Sequence, residues 1–274
     1  MIYCHAMQKV DCLSHQIWPA VEKGFPKDGK DAHFFWGLAE HNINKITQLE
    51  KDGSDWYFID TGYLTEQITR YPEPKINDYD KTYFRIVKGG VHTLRGSTKG
   101  GKERLKQLDK KGIRCTFEGW NQGEGDHILI CPSSETMTHR HNGMSQGRWV
   151  ASLMNKLTKL TNRDVRVRNK PRPNNEWWNT DIKDDLKDAW CVVTNMSLAA
   201  VDGILNMTPG YTHQRHVASL VTSRKINLVE KPFKPGRKTI QEWLKMIANH
   251  QFTIAEIEDG LAQKILEVQY QVDG

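Results

Sequence analysis

Apolar residues in the first sixty positions fall into short runs, separated by segments where they recur every three or four residues. Short runs suit strands, and the longer spacing suits the buried face of a helix. The pattern predicts strands at Met1–Cys4, Ala32–Leu38 and Trp56–Ile59, with helices at Asp11–Lys23 and His41–Lys51, the latter striped by Ile43, Ile46 and Leu49. Strands alternating with helices imply a parallel sheet covered on both faces. Residues 65–80, with Pro72 and Pro74, read as loop, followed by a helix at Lys102–Lys110 and a strand at Ile113–Phe117.

A loop bearing Gly119, Gly123 and Gly125 interrupts the alternation, which then restarts. A strand at His127–Cys131, a helix at Gly147–Leu160, a strand at Val165–Arg168 and a helix at Asp181–Lys187 lead to a strand at Trp190–Val193. After Thr194, Asn195 and Ser197 a short helix spans Leu198–Leu205, and Pro209 stops it before another strand. Helices at Thr239–Asn249 and Thr253–Val268 close the chain, with Thr253 and Glu256 spaced as a capping box. The division expected is an N-terminal domain at 1–124, a second at 125–252, and a C-terminal helix at 253–274 packing back on the first.

Composition narrows the class. No run approaches the roughly 18 apolar residues of a membrane helix, and the first residues lack a charged start followed by an apolar stretch. A soluble, cytoplasmic protein without a membrane partner is expected. The five cysteines (4, 12, 115, 131 and 191) are scattered and form no CxxC pair, so they are expected reduced and mostly buried, with neither a disulfide frame nor a zinc site. The net charge of +6 is concentrated: residues 81–114 hold eleven Lys or Arg against two acids. With glycines at 89, 90, 96, 100 and 101, this block reads as a flexible loop and a helix able to lie along a phosphate backbone, or as a solvated helix face.

The stretch from Trp190 to Leu205 carries the clearest chemical signal. A strand followed by Thr194, Asn195 and Ser197, all good N-caps, presents helix N–H groups beyond the strand's carboxyl end, where phosphates bind in open α/β sheets. The same layout also serves as plain scaffold. Ser133 ends the preceding strand in CPSS, and Arg166, Arg168 and Lys170 end another. Both arginines alternate with Val165 and Val167, so they leave one strand face, and paired guanidinium forks suit a diphosphate. A basic strand edge that discourages aggregation is the alternative. Asp202 lies at the edge of the stripe made by Leu198, Val201 and Leu205, facing either a ligand or water.

On these residues the C-terminal half resembles glycosyltransferases of the two-Rossmann type, GT-B: Thr194, Asn195 and Ser197 at the turn, Asp202 one turn into the helix, and an exit through Asn206-Met207-Thr208-Pro209. The chain as a whole, including YFIDTGY at Tyr57–Tyr63 and QFTIAEIEDG at Gln251–Gly260, is similar to phage glycosyltransferases that modify hydroxymethylated DNA bases with glucose or arabinose. The resemblance implies an α/β, GT-B-like fold of two Rossmann-type domains whose parallel sheets face a central cleft. It implies a UDP-sugar donor, and double-stranded DNA carrying 5-hydroxymethylcytosine or a related pyrimidine as acceptor. Ser197 with Asn195, Leu198 and Ser133 would hold the diphosphate, and Asp202 the ribose. The sequence departs in having Asp202 where Glu is commoner and Met207 where glycine is usual.

Sugar transfer to a hydroxyl needs a proton acceptor and stabilisation of the leaving diphosphate. Asp60, ending the apolar strand at 56–59, is the first candidate for the base, although the same carboxylate would suit a turn cap at Thr61 and Gly62. His5, Glu40, His139 and His141 are the others. Two histidines at i and i+2 without a carboxylate make a poor metal site, and the DxD at Asp78–Asp80 has no apolar strand leading into it, so no metal is implied. Tyr63 is a candidate to stack on a base, and Arg85, Lys88, Arg95, Lys99 and Lys102 to contact DNA phosphates. Two other readings remain open: a transferase acting on surface polysaccharide or a small molecule, and a non-catalytic nucleic-acid-binding protein.

Overall fold

The structure is a computed structural model that describes all residues except 7–12, 26–30, 66, 93, 95, 96, 122–124, 214 and 272–274. Cys12 and Arg95 therefore lie outside the described residues. The chain forms two compact units, one made of Met1–Cys115 with Leu244–Gly274 and the other of Thr116–Trp243. The C-terminal segment that joins the first unit thus starts at Leu244.

The first unit opens with β1 (Ile2–His5), α1 (Ser14–Gly24), β2 (Ala32–Trp36), α2 (Glu40–Asp52) and β3 (Trp56–Thr61). β1, β2 and β3 pair in parallel, as the alternation with helices requires. Phe34 and Phe35 point to opposite faces of β2 and are both fully buried, so the sheet is covered on both sides. The expected loop at 65–80 contains a small antiparallel pair, β4 (Ile68–Thr69) and β5 (Lys75–Ile76).

The basic block is more ordered than its composition implies. It contains β6 (Phe84–Lys88) as well as α3 (Gly101–Lys110), and β6 runs antiparallel to β3, so this sheet is mixed rather than wholly parallel. Phe84, Ile86 and Val87 are fully buried, an apolar strand hidden from composition by the basic residues around it. The strand expected at 113–117 is not one. Ile113, Cys115 and Phe117 alternate inward as a strand's would, but no ladder forms there.

The second unit contains β7 (His127–Ile130), α4 (Glu135–Asn142), α5 (Gln146–Leu157), β8 (Asp164–Val167), α6 (Ile182–Leu186), β9 (Ala189–Val193), α7 (Ala199–Leu205) and β10 (Gly210–Tyr211); α8 (Arg237–Ala248) crosses the boundary between units. Its four strands are all parallel, in the order β10-β9-β7-β8. One face packs Ile128, Ile130, Cys191 and Val193 against Leu157 of α5. The other packs Leu129 and Val192 against Leu186 and Ala199.

The chain then returns to the first unit through β11 (Gln251–Phe252), α9 (Ile254–Glu258) and α10 (Leu261–Gln271). β11 pairs antiparallel with β6 and completes the order β1-β2-β3-β6-β11. The capping box forms as expected, with Thr253 accepting from the Glu256 N–H and Glu256 from the Thr253 N–H. The single helix expected from Thr253 is two, because the chain turns at Gly260, whose φ of 75° lies in the left-handed region. Buried Arg104 of α3 reaches this segment with both guanidinium arms, 3.0 Å from each Glu256 oxygen.

Candidate functional site

In the second unit the chain leaves β7 toward β8 on one side, then returns past it to β9 on the other. Such a reversal opens a crevice beyond the strands' carboxyl ends, because the flanking loops diverge there. Ser133 and Asn195 occupy that point. The Ser133 N–H and Oγ both donate to Asn195 Oδ1, at 3.0 and 2.6 Å, and the Met196 N–H donates to Ser133 Oγ at 2.9 Å. Asn195 Nδ2 in turn donates to Thr138 and Asn142 of α4, both at 3.0 Å. Each polar atom of the Asn195 side chain thus has a partner, which a buried amide requires.

Of the residues expected as N-caps, Ser197 Oγ accepts the Ala199 N–H at 3.4 Å, while Thr194 and Asn195 perform other tasks. Asn195 ties β9 to β7 and α4, and Thr194 Oγ1 accepts the Ser197 N–H at 3.0 Å. α7 begins after Leu198, whose own side chain makes no cap, and the Ser197 carbonyl meets His216 Nε2 at 2.9 Å. Ser197, Leu198 and Asp202 are half-buried.

Beside this clasp lies a cavity of about 390 Å³ at the carboxyl ends of β9 and β10, walled by Trp149, Thr194, Asn195, Tyr211, His213 and Arg224, among others. His141, from the last turn of α4, sits with its ring 5.7 Å from that of His213. The helix that carries His141 is closed by Gly143 with a φ of 66°. Burial lowers the pKa of His141 to about 4, with His213, Arg140 and Arg215 adding to the effect. His213 is lowered by burial, then by Arg215 and Arg224. Arg224 lines the cavity, and the charges of Arg140 and Arg215 also act on these imidazoles, a setting that favours an anion.

Sequence reasoning missed Trp149, Tyr211, His213 and Arg224. Tyr211 and His213 were reachable by the rule applied to Asn195, since they end the next parallel strand. Arg224 carried no such signal.

The basic residues expected to bind a diphosphate are engaged elsewhere. Arg168 is 5% exposed and holds Asp185 and the Thr180 carbonyl, so its donor fork is turned into the protein. Arg166 is exposed and paired with Asp164 at 2.9 Å on the same strand face. Lys170 is exposed in the loop after β8.

In the first unit Asp60 is the penultimate residue of β3 and faces Arg85 across the β3–β6 ladder. Arg85 is 3% exposed; its Nη2 lies 2.7 Å from Asp60 Oδ2, and its Nη1 donates to the Thr61 carbonyl at 2.6 Å. Asp60 Oδ1 also accepts the Thr61 N–H at 2.8 Å, the turn-capping contact allowed by the sequence. Tyr63 is buried, with Arg85 Cζ 5.5 Å from its ring centre. Lys88 pairs with Asp55 at 2.5 Å, whereas Lys99 and Lys102 are exposed. Arg85 and Tyr63, candidates for DNA contact, are buried in this unit because β6 carries the one and packs near the other.

Of the alternative bases, His5 lies 3.1 Å from His33 and stacks on Phe35. Burial, then His33, Lys45 and His41, lower its pKa to about 4. Glu40 opens α2, and His139 is exposed on α4. In the DxD, Asp78 accepts the N–H groups of Asp80 and Lys81, so its carboxylate closes its own turn. The described residues contain no group of three or more His, Cys, Asp or Glu that could hold a metal ion. Among them, no helix is long and apolar enough to cross a membrane.

A solved structure named as a KpsC beta Kdo 2,4 transferase of Thermosulfurimonas dismutans superposes on 89% of this chain and 89% of its own, with a TM-score of 0.51 at 12% identity. The fold is GT-B-like. A second, named as a beta Kdo 2,7 transferase KpsC of the same organism, covers 96% of this chain and 99% of its own, with a TM-score of 0.48 at 10% identity. No family model matches the sequence, and no curated protein does. At these identities the likeness is one of fold.

Proposed function

We propose that the protein is a glycosyltransferase that moves a sugar from a nucleotide-activated donor to a hydroxyl, with the donor held in the cavity of the second unit. The observation that carries this reading is the meeting of the His141 and His213 rings with Arg224 and the aromatic wall of Trp149 beside the switch point of a parallel sheet. An aromatic wall suits a nucleobase, and fixed cations stabilise the charge that develops on a leaving phosphate. Asn195 lines this site and Ser133 holds it in place; Ser197 and Asp202, which do not line the cavity, are the candidate diphosphate and ribose contacts carried over from the resemblance, and Asp60 is the candidate proton acceptor of the first unit. Thermal shift with a panel of nucleotides and nucleotide sugars, UDP-sugars and a Kdo donor among them, tests the proposal. Stabilisation that is lost in Arg224→Met supports it, and no stabilisation by any member overturns it.

The acceptor we infer is a saccharide, the class that suits the transferases of similar fold. A second reading, a hydroxymethylated pyrimidine in duplex DNA, has one observation in its favour. Lys102, Lys106 and Lys110 are exposed at i, i+4 and i+8 on α3, one stripe along the helix. Arg85, Lys88, Arg104 and Lys111 of the same block point to internal partners, which shortens any phosphate track. Mass spectrometry of hydroxymethylcytosine DNA incubated with the protein and the donor panel decides between the two.

A further inference from the structure

We propose that the loop joining β8 to α6 is a saccharide-binding subsite, with the Trp178 indole as the platform on which a pyranose ring of the acceptor stacks. This deepens the transferase reading and rests on it for the word acceptor. The loop, residues 169–181, reads NKPRPNNEWWNTD and leaves the carboxyl end of β8, at the same end of the sheet as Ser133 and Asn195. Trp178 is 36% exposed there.

Two sets of contacts order the loop that carries the indole. Within the loop, Asn175 Oδ1 accepts the Arg172 N–H at 3.1 Å and Asn175 Nδ2 donates to the Lys170 carbonyl at 3.0 Å. The Trp178 N–H donates to the Asn175 carbonyl at 3.1 Å, and Thr180 Oγ1 donates to the Trp177 carbonyl at 2.7 Å. Asn179 then turns the chain with a φ of 65°, directly after the tryptophan. From beneath, buried Arg168 donates to the Thr180 carbonyl at 2.9 Å and pairs with Asp185 of α6. Arg168 is thus a positioning residue, clamping the loop's far end to the scaffold.

The chemistry of the surface fits a sugar. A pyranose has one face of C–H groups and a rim of hydroxyls that both donate and accept. An indole offers a wide apolar face at little entropic cost once its loop is fixed. Asn174, Glu176 and Asn179, all exposed around it, supply carboxamide and carboxylate groups matched to hydroxyl pairs. A single ring set among polar groups presents too little apolar area for a stable protein interface.

The full-length chain is applied to an array of defined oligosaccharides, and the best-bound one is titrated by tryptophan fluorescence. Quenching of the wild-type emission is expected. Trp178→Ala is expected to weaken binding at least about tenfold and Trp178→Phe by no more than about threefold, since a phenyl ring retains part of the stacking surface. Arg168→Met is expected to weaken binding with Trp178 intact and to shift its emission, which Trp178→Phe identifies by difference. Thermal stabilisation by nucleotide sugars should be unchanged in Trp178→Ala. No saccharide bound, equal affinity in Trp178→Ala, or self-association that depends on Trp178 in sedimentation overturns the subsite. Nucleotide-sugar stabilisation without saccharide binding removes the subsite alone. Trp178-dependent saccharide binding without any nucleotide effect removes the transferase reading and leaves the subsite standing.

Discussion

Ser133 Oγ lies 2.6 Å from Asn195 Oδ1 and joins the carboxyl ends of β7 and β9 at the reversal of strand order. Asn195→Ala removes the acceptor for two Ser133 donors and leaves Thr138 and Asn142 without their amide. A buried donor left unsatisfied costs about 1–3 kcal/mol, so the second unit should melt at lower temperature and lose stabilisation by nucleotide sugars. Thermal denaturation with and without ligand checks both. An unchanged ligand response in the variant would separate the clasp from the site.

Arg104 grips both Glu256 oxygens while also donating to the carbonyls of Ala248 and Gln251. Removing one partner of a buried ion pair leaves the other charge uncompensated, at a cost of about 3–5 kcal/mol. Arg104→Met and Glu256→Gln should each lower the urea midpoint of the first unit, with less than additive loss in the double variant. Additive losses would show that the two side chains act separately.

These contacts explain what the sequence could and could not disclose. The period of apolar residues revealed β2, β3, β7 and β9, because strands buried on both faces leave uninterrupted apolar runs. β6 stayed hidden, since Arg85 and Lys88 look solvated until Asp60 and Asp55 are placed opposite them. Arg168 shows the same blindness: its alternation with Val167 was legible, but not that Asp185, seventeen residues away, would turn its fork inward. The switch-point position of Asn195 followed from local order, whereas Arg224 enters the cavity through tertiary contacts that no spacing announces.

Asp60→Asn keeps the shape of the side chain and one acceptor for Arg85 but removes the charge that compensates this buried guanidinium, so the melting temperature should fall and activity is compared below it. Proton abstraction contributes about 10²–10⁴ to such reactions, and turnover should fall by that factor if Asp60 is the base. Steady-state kinetics with a donor found by thermal shift measures it. Full activity would transfer the role to His5 or Glu40.

His141 supplies a pH test of the candidate site. Burial, followed by the charges of His213, Arg140 and Arg215, moves its pKa from 6.5 to about 4, so the folded protein resists a proton that the unfolded chain accepts. Above pH 6.5 both states are neutral at this residue and it contributes nothing to pH dependence. As pH falls from 6.5 toward 4 the unfolded state binds more protons and stability declines, levelling once the folded state protonates as well. His5, with the same shift, adds to the decline in the first unit. His141→Gln should therefore flatten the fall in melting temperature between pH 6.5 and 5, the part of the window above most carboxylate titration. Parallel melting curves for variant and wild type across the window would mean that His141 is not held neutral.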